Sequence, residues 1–191
     1  MNDEATPAKS LKKVIATTVV LTAIFLGLGA SLTFTILENR RDTETKQLSG
    51  AYAMNQEELE SLVEKKNLEV YWAGPRPGYL YTLDARQKDS AFLRYIKKDA
   101  KATDVVSNSR VIATYKSDLA FENSVAAAKR AGNTGFTNPD QSVAFYSTAK
   151  STDVYLAFPK KKIQIEIFDP IPGQALSLAI LQDQITKVGQ K

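Results

Sequence analysis

The chemistry open to this chain is that of carboxylates, lysine, tyrosine and serine, because its 191 residues include neither histidine nor cysteine. That composition excludes Ser-His-Asp hydrolysis, thiolate nucleophiles, disulfides and the usual zinc sites. Two carboxylates about 5 to 9.5 Å apart can hydrolyse a glycosidic bond. The acids in predicted strands or at strand ends are Asp84, Asp89, Glu166 and Asp169. Their spacing brings no two of them together, so we predict exposed acids, no metal site and no cofactor.

The most unusual segment is the Gly-Pro-Arg-Pro-Gly sequence of residues 74–78, here called the platform loop. Its prolines stiffen the backbone and its glycines allow sharp turns, which would present Arg76 on a rigid platform. Arginine, tryptophan and tyrosine dominate binding hot spots. We therefore predict a binding surface that contains Trp72, Arg76 and Tyr79. The alternative is a rigid hairpin connection, because strand alternation assigns Trp72 to an apolar face.

Residues 14–37 form an uncharged, mostly apolar run, and about 20 such residues suffice to span a bilayer. We predict a single transmembrane helix there. The competing interpretation is a cleavable signal peptide, since a basic tail precedes the run and residues 28–30 imitate a cleavage site. Leu28 is too large for that site and the apolar run continues beyond it, so the length of the run favours a retained anchor.

The basic residues that flank this run are balanced between its two sides, so the positive-inside rule does not fix the orientation. A short N-terminal tail favours a cytoplasmic N-terminus, since a long following domain is normally carried across the membrane. We predict a single-pass protein of the cell membrane. Its parts would be a cytoplasmic tail (1–13), the transmembrane helix (14–37), a polar stalk (38–50) and an extracytoplasmic α+β domain (51–191).

Small residues recur at every fourth position of the predicted span, at Ala23, Gly27 and Ser31. They share one face of the helix, where a second backbone can approach closely. We therefore expect the membrane as a partner, together with either another membrane protein or a second copy of this chain. The net charge of +4 is spread along the chain without a basic stripe, so nucleic acid is not expected as a partner.

Hydrophobic periodicity predicts the elements of the domain. A first helix should begin at Asn55, with Glu58 completing a capping box, and end near Lys66. Four strands should follow, then a helix capped by Ser117 and ended by Gly132, and a last helix from Pro172 to about Val188. Three more strands are expected at residues 143–147, 154–158 and 163–168. Strands in hairpin series predict an antiparallel sheet with the helices on one side.

The sequence also contains a weak internal echo. Residues 110–118 (RVIATYKSD) parallel residues 162–170 (KIQIEIFDP), and Tyr71-Trp72 parallels Phe145-Tyr146. A diverged duplication of an α-β-β-β unit would explain both similarities. An ordinary antiparallel meander would explain them equally well.

One resemblance rests on the stretch from Tyr71 to Tyr79 (YWAGPRPGY) together with Leu93-Arg94-Tyr95, Ala113-Thr114-Tyr115 and Gln164-Ile165-Glu166. These segments resemble a group of uncharacterised, membrane-anchored proteins from actinobacteria. The resemblance covers most of the predicted domain. It implies a Gram-positive type of cell envelope and carries over no activity.

Two functions remain open on the sequence alone. The preferred one is a non-catalytic binding or accessory module of the cell envelope, tethered by its helix. The alternative is a carboxylate-dependent enzyme acting on an envelope glycan. A binding module should depend on Arg76 or Trp72, whereas a hydrolase should lose all activity when one particular acid becomes its amide.

The predicted topology can be tested with a reporter that is active only outside the cytoplasm. Fused after Lys191, the reporter should be active, because the uncharged run and short basic tail favour export of the domain. The protein should also stay in the membrane pellet after carbonate washing. Release of the protein into the medium would identify the run as a cleaved signal instead.

Overall fold

The computed structural model describes residues 47–100, 109–181 and 184–190. The predicted tail, the span at 14–37 with Ala23, Gly27 and Ser31, and most of the stalk lie outside the described residues. Within the described residues, no helix is long and apolar enough to cross a membrane.

The described chain is an α+β fold. In chain order they are α1 (Gln56–Lys65), β1 (Tyr71–Trp72), β2 (Tyr79–Asp84), β3 (Ser90–Lys97), β4 (Val111–Lys116), α2 (Ala120–Ala128), β5 (Asn133–Thr137), β6 (Val143–Ser147), β7 (Lys150–Ala157), β8 (Ile163–Phe168), α3 (Gln174–Ile180) and β9 (Thr186–Lys187). The predicted antiparallel α+β architecture is confirmed for this part of the chain.

Seven strands form one antiparallel sheet in the order β2-β3-β4-β8-β7-β6-β5. The pairing of β4 with β8 joins an N-terminal meander to a C-terminal one. Strands β1 and β9 form a separate antiparallel pair. Residues 48–54 run along the outer edge of β2, where Ser49 bridges Asp84 and Met54 bridges Tyr81.

The strand registers assign each side chain to one of two faces, because successive residues of a strand point to opposite sides. The core face carries large buried apolar side chains: Leu83, Leu93, Ile112, Ile165 and Leu156. Helices α1 and α3, strand β1 and the residues on either side of β9 contribute side chains to the same hydrophobic cluster. The second face carries a row of cross-strand neighbours: Phe92, Ala113, Glu166, Tyr155 and Phe145.

Helix α2 packs on the second face, so the prediction that all helices lie on one side is wrong. Gln164 points to this face, and its Nε2 donates a hydrogen bond of 2.8 Å to Ser124 Oγ in α2. Gly135 of β5 lies so close to the helix that a Cβ there would be 2.6 Å from the Cβ of Ala128. The second face needs this cover because it also carries buried apolar residues, among them Val143 and Phe145.

The local signals for α1 are confirmed, since Asn55 and Glu58 form both hydrogen bonds of the capping box. Those for the later helices are partly wrong. Helix α2 begins at Ala120 with Leu119 as its N-cap, and no side chain caps it, so Ser117 is not the cap. Helix α3 ends at Ile180 instead of near Val188, because Thr186–Lys187 leave the helix and pair with β1.

The registers do not support a duplicated α-β-β-β unit. The echo equates Val111 with Ile163, but Val111 lies on the second face and Ile163 on the core face. A two-fold repeat that relates the antiparallel neighbours β4 and β8 would keep equivalent residues on one face. Tyr71-Trp72 also lies outside the main sheet, whereas its counterpart Phe145-Tyr146 lies within β6.

The position of α2 predicts that Gly135→Ala destabilises the protein by about 1 to 3 kcal/mol, since the new Cβ would meet Ala128. Thermal and urea unfolding of the protein measure this loss. Thr137→Ala, at an exposed position of the same strand, is the control and should change stability little. Equal stability of Gly135→Ala and wild type would contradict the packing of α2 on the second face.

Candidate binding surface

The platform loop is held by two buried tyrosines of the core face. Tyr81 and Tyr95 are each 1% exposed, and their rings meet edge to face with centroids 5.1 Å apart. Tyr95 Oη accepts a hydrogen bond of 2.8 Å from the Ala73 N–H and donates one of 3.1 Å to the Gly74 carbonyl. Tyr81 Oη accepts a bond of 2.7 Å from the Arg76 N–H. The loop and the residue before it, Ala73, are thereby fixed to the sheet at three points.

Burial raises the pKa of Tyr95 and of Tyr81 above the ordinary value for a phenol. The positive charge of Arg76 acts in the opposite direction on both hydroxyls, but the effect of burial is larger. Both hydroxyls therefore stay protonated at neutral pH. The bond from Tyr95 to the Gly74 carbonyl requires that proton. The three hydrogen bonds of Tyr81 and Tyr95, here called the tyrosine clamp, are therefore intact over the physiological pH range.

The turns of the loop require glycine. Gly74 has φ of 70° and Gly78 has φ of 79°, in the left-handed region that other residues rarely adopt. A Cβ at either position would meet nothing within 4 Å, so the requirement comes from the backbone and not from packing. The Gly78 carbonyl also accepts a bond of 3.0 Å from the Lys98 N–H, which ties the loop to the end of β3.

The three predicted binding residues separate into one core residue and two surface residues. Trp72 is 3% exposed and packs edge-on against Tyr81, with centroids 5.9 Å apart. Arg76 is exposed, and its guanidinium carbon lies 4.4 Å from the centre of the half-buried Tyr79 ring. The structure thus brings Arg76 and Tyr79 together at the surface, while Trp72 supports the loop from inside.

The four carboxylates named from the sequence do not converge on one site. Asp84 forms an ion pair of 2.7 Å with Arg86 at the end of β2. Asp169 is buried and forms an ion pair of 2.7 Å with Arg110. Asp89 is exposed in the β2–β3 connection with φ of 65°. Glu166 lies in the middle of the second face.

Glu166 is buried between two tyrosines that sequence reasoning did not connect to it. The carboxylate accepts hydrogen bonds from Tyr115 Oη at 2.8 Å and from Tyr155 Oη at 2.9 Å. Tyr115 belongs to β4 and Tyr155 to β7, the two strands that flank β8. Only the strand order places them together, and the one signal in the sequence was the alternation of Glu166 with apolar neighbours.

Burial raises the pKa of Glu166 to about 7, although the two tyrosine hydroxyls act to lower it. Asp153, on the same face of β7, raises the pKa further, and Lys150 opposes it. The tyrosines respond in turn, since burial and the nearby carboxylate raise the pKa of Tyr115 and of Tyr155. This cluster is a buried polar network with satisfied hydrogen bonds.

In the described part of the chain, no group of three or more acidic side chains is placed to hold a metal ion. Comparison of the sequence and the structure with protein-family models, curated proteins and solved structures finds no match. The features that can support a function are therefore the platform loop and the buried cluster of Glu166, Tyr115 and Tyr155.

Protonation of Glu166 should make the protein more stable at mildly acidic pH than at neutral pH. Its folded pKa of about 7 lies above the ordinary value of 4.5, so the folded state binds the proton more tightly. Stability should fall as the pH rises from about 4.5 to about 7, by a few kcal/mol at most, since one unit of pKa corresponds to about 1.4 kcal/mol.

Thermal unfolding across this pH range tests the expectation. Glu166→Gln cannot ionise and should flatten the decline. Glu64→Gln removes a carboxylate from the exposed surface of α1 and is the control for a change in net charge. A decline in Glu166→Gln as steep as that of the wild type would assign the pH dependence to another group.

Proposed function

We propose that this chain is a membrane-anchored, extracytoplasmic binding or accessory module of the cell envelope that does not catalyse a reaction. The observation that carries the proposal is the platform loop, whose backbone is fixed by two buried tyrosine hydroxyls while Arg76 stays exposed above Tyr79. The anchor itself rests on the uncharged run at residues 14–37.

A rigid loop favours binding because less conformational entropy is lost when a partner docks. The buried hydroxyls of Tyr81 and Tyr95 hold the backbone on both sides of Pro75. The contact with Tyr79 restricts the side chain of Arg76 in addition. An arginine held beside an aromatic ring is the type of residue that contributes most to binding hot spots.

The glycan hydrolase alternative has less support. The raised pKa of Glu166 would suit a general acid. Glu166 is only 4% exposed, however, and its carboxylate oxygens already accept hydrogen bonds from Tyr115 and Tyr155. A hydrolase of this kind needs a second carboxylate across an open cleft. Of the other named acids, Asp84 and Asp169 are each paired with an arginine, and Asp89 is exposed in the β2–β3 connection.

The proposal predicts that Arg76→Ala reduces capture of the physiological partner while changing stability by less than about 0.5 kcal/mol, because the side chain is exposed. Cross-linking in native membranes, followed by quantification of co-purified material, measures capture, and thermal unfolding measures stability. Arg86→Ala is the matched control, since Arg86 is also exposed but pairs with Asp84.

Trp72→Ala provides the contrasting variant, because truncation of a buried tryptophan should destabilise the fold by about 3 kcal/mol or more. Normal capture by Arg76→Ala, combined with a clear loss of stability, would make the platform loop a structural element and refute the binding proposal.

A further inference from the structure

Three exposed basic residues lie together around the platform loop. Tyr79, under the Arg76 guanidinium, is the cross-strand neighbour of Lys97. The next residue, Lys98, is tied to the loop through its backbone bond to Gly78. We call Arg76, Lys97 and Lys98 the platform cluster, and all three residues are exposed.

No described carboxylate forms an ion pair with any member of the platform cluster. Some exposed basic residues of the described chain do form such pairs: Arg86 with Asp84 at 2.7 Å, Lys150 with Asp153 at 3.1 Å, and Lys162 with Asp118 at 2.8 Å. Asp99 follows the cluster directly and is exposed, which leaves three cations beside one carboxylate. The surface therefore carries a positive charge that the described chain does not neutralise.

The geometry of Arg76 suits a planar or tetrahedral anion. Its guanidinium carbon lies 4.4 Å from the centre of the Tyr79 ring, and this cation–π contact uses none of the N–H groups as hydrogen-bond donors to a carboxylate. Those groups form a fork that can donate two parallel hydrogen bonds to one phosphate. Lys97 and Lys98 add two point charges of the kind that also bind phosphate.

We infer that the platform cluster binds the phosphate groups of an anionic envelope polymer with a repeated phosphodiester unit. The inference rests on the proposed function and names the class of its ligand. The three cations are on three different side chains, so a chain of phosphates can offer a separate anion to each of them. The cation–π contact and the tyrosine clamp hold the fork in place before the polymer arrives.

The test uses the full chain in nanodiscs of phosphatidylcholine, with fluorescently labelled poly(glycerol phosphate) as the probe and anisotropy as the readout. The wild type should bind, and added salt should weaken binding because exposed charges are screened. The single variant Arg76→Ala should weaken binding about tenfold, and so should the double variant Lys97→Gln/Lys98→Gln. A tenfold loss corresponds to about 1.4 kcal/mol of charge-assisted contact. Arg76→Lys should bind less tightly than the wild type, since lysine has no fork.

The matched control removes two lysines from the opposite end of the sheet. Lys160 and Lys161 lie in the β7–β8 connection, which leads into Ile163. Ile163 pairs with Lys116 at the C-terminal end of β4. Lys97 lies beyond the opposite, N-terminal end of β4, where Val111 pairs with Arg94. Lys160→Gln with Lys161→Gln should change affinity by less than about twofold, because a non-specific charge effect is screened over such a distance. An equal loss in this control would overturn the inference.

Two further results would also overturn it. One is equally tight binding of poly-L-glutamate, which carries carboxylates instead of phosphates. The other is binding to discs that contain phosphatidylglycerol without binding to the polymer, which would assign the surface to lipid headgroups. If partner capture depends on Arg76 but the protein does not bind the polymer, this inference alone is refuted and the proposed function stands. Polymer binding with capture that does not depend on Arg76 would refute only the capture proposed above.

Discussion

The pairing of β4 with β8 is the constraint on which the rest of the described fold depends. It joins two meanders that are distant in sequence, and six residue pairs from Val111↔Phe168 to Lys116↔Ile163 fix its register. A shift by one residue would leave Ile112 on the core face and turn Ile165 of β8 to the second face. It would also take Glu166 away from Tyr115, so the core and the buried polar cluster depend on the same register.

Tyrosine serves both faces of this sheet in the same way. Each buried ring contributes apolar area, while its hydroxyl satisfies a polar group that would otherwise be desolvated without a partner. On the core face, Tyr81 and Tyr95 satisfy backbone groups of the platform loop. On the second face, Tyr115 and Tyr155 satisfy the carboxylate of Glu166. The loop and the acid are thus stabilised by the interior of the sheet.

The sequence predicted the features that depend on neighbouring residues. The capping box of Asn55 and Glu58 and the alternation within seven of the nine described strands were recognisable because their partners lie a few residues away. Strand β5 was missed because its polar sequence with Gly135 lacks an apolar stripe. Strand β9 and the cluster around Glu166 were missed because their partners come from distant parts of the chain. The same non-local packing decides that α2 covers the second face.

For the platform loop, strand alternation correctly placed Trp72 inside, but only the structure identifies the tyrosines that fix the loop.

Residues 48–54 give the described domain a mechanical property. They lie antiparallel along β2 and are held by backbone bonds from Gly50 to Leu83, from Met54 to Tyr81, from Tyr81 to Met54 and from Ala85 to Leu48. A pulling force directed along this segment, parallel to β2, would load these bonds in shear, so that they would have to break together. A force perpendicular to the strand would open them one after another. This edge of the described domain therefore resists tension along the strand better than tension across it.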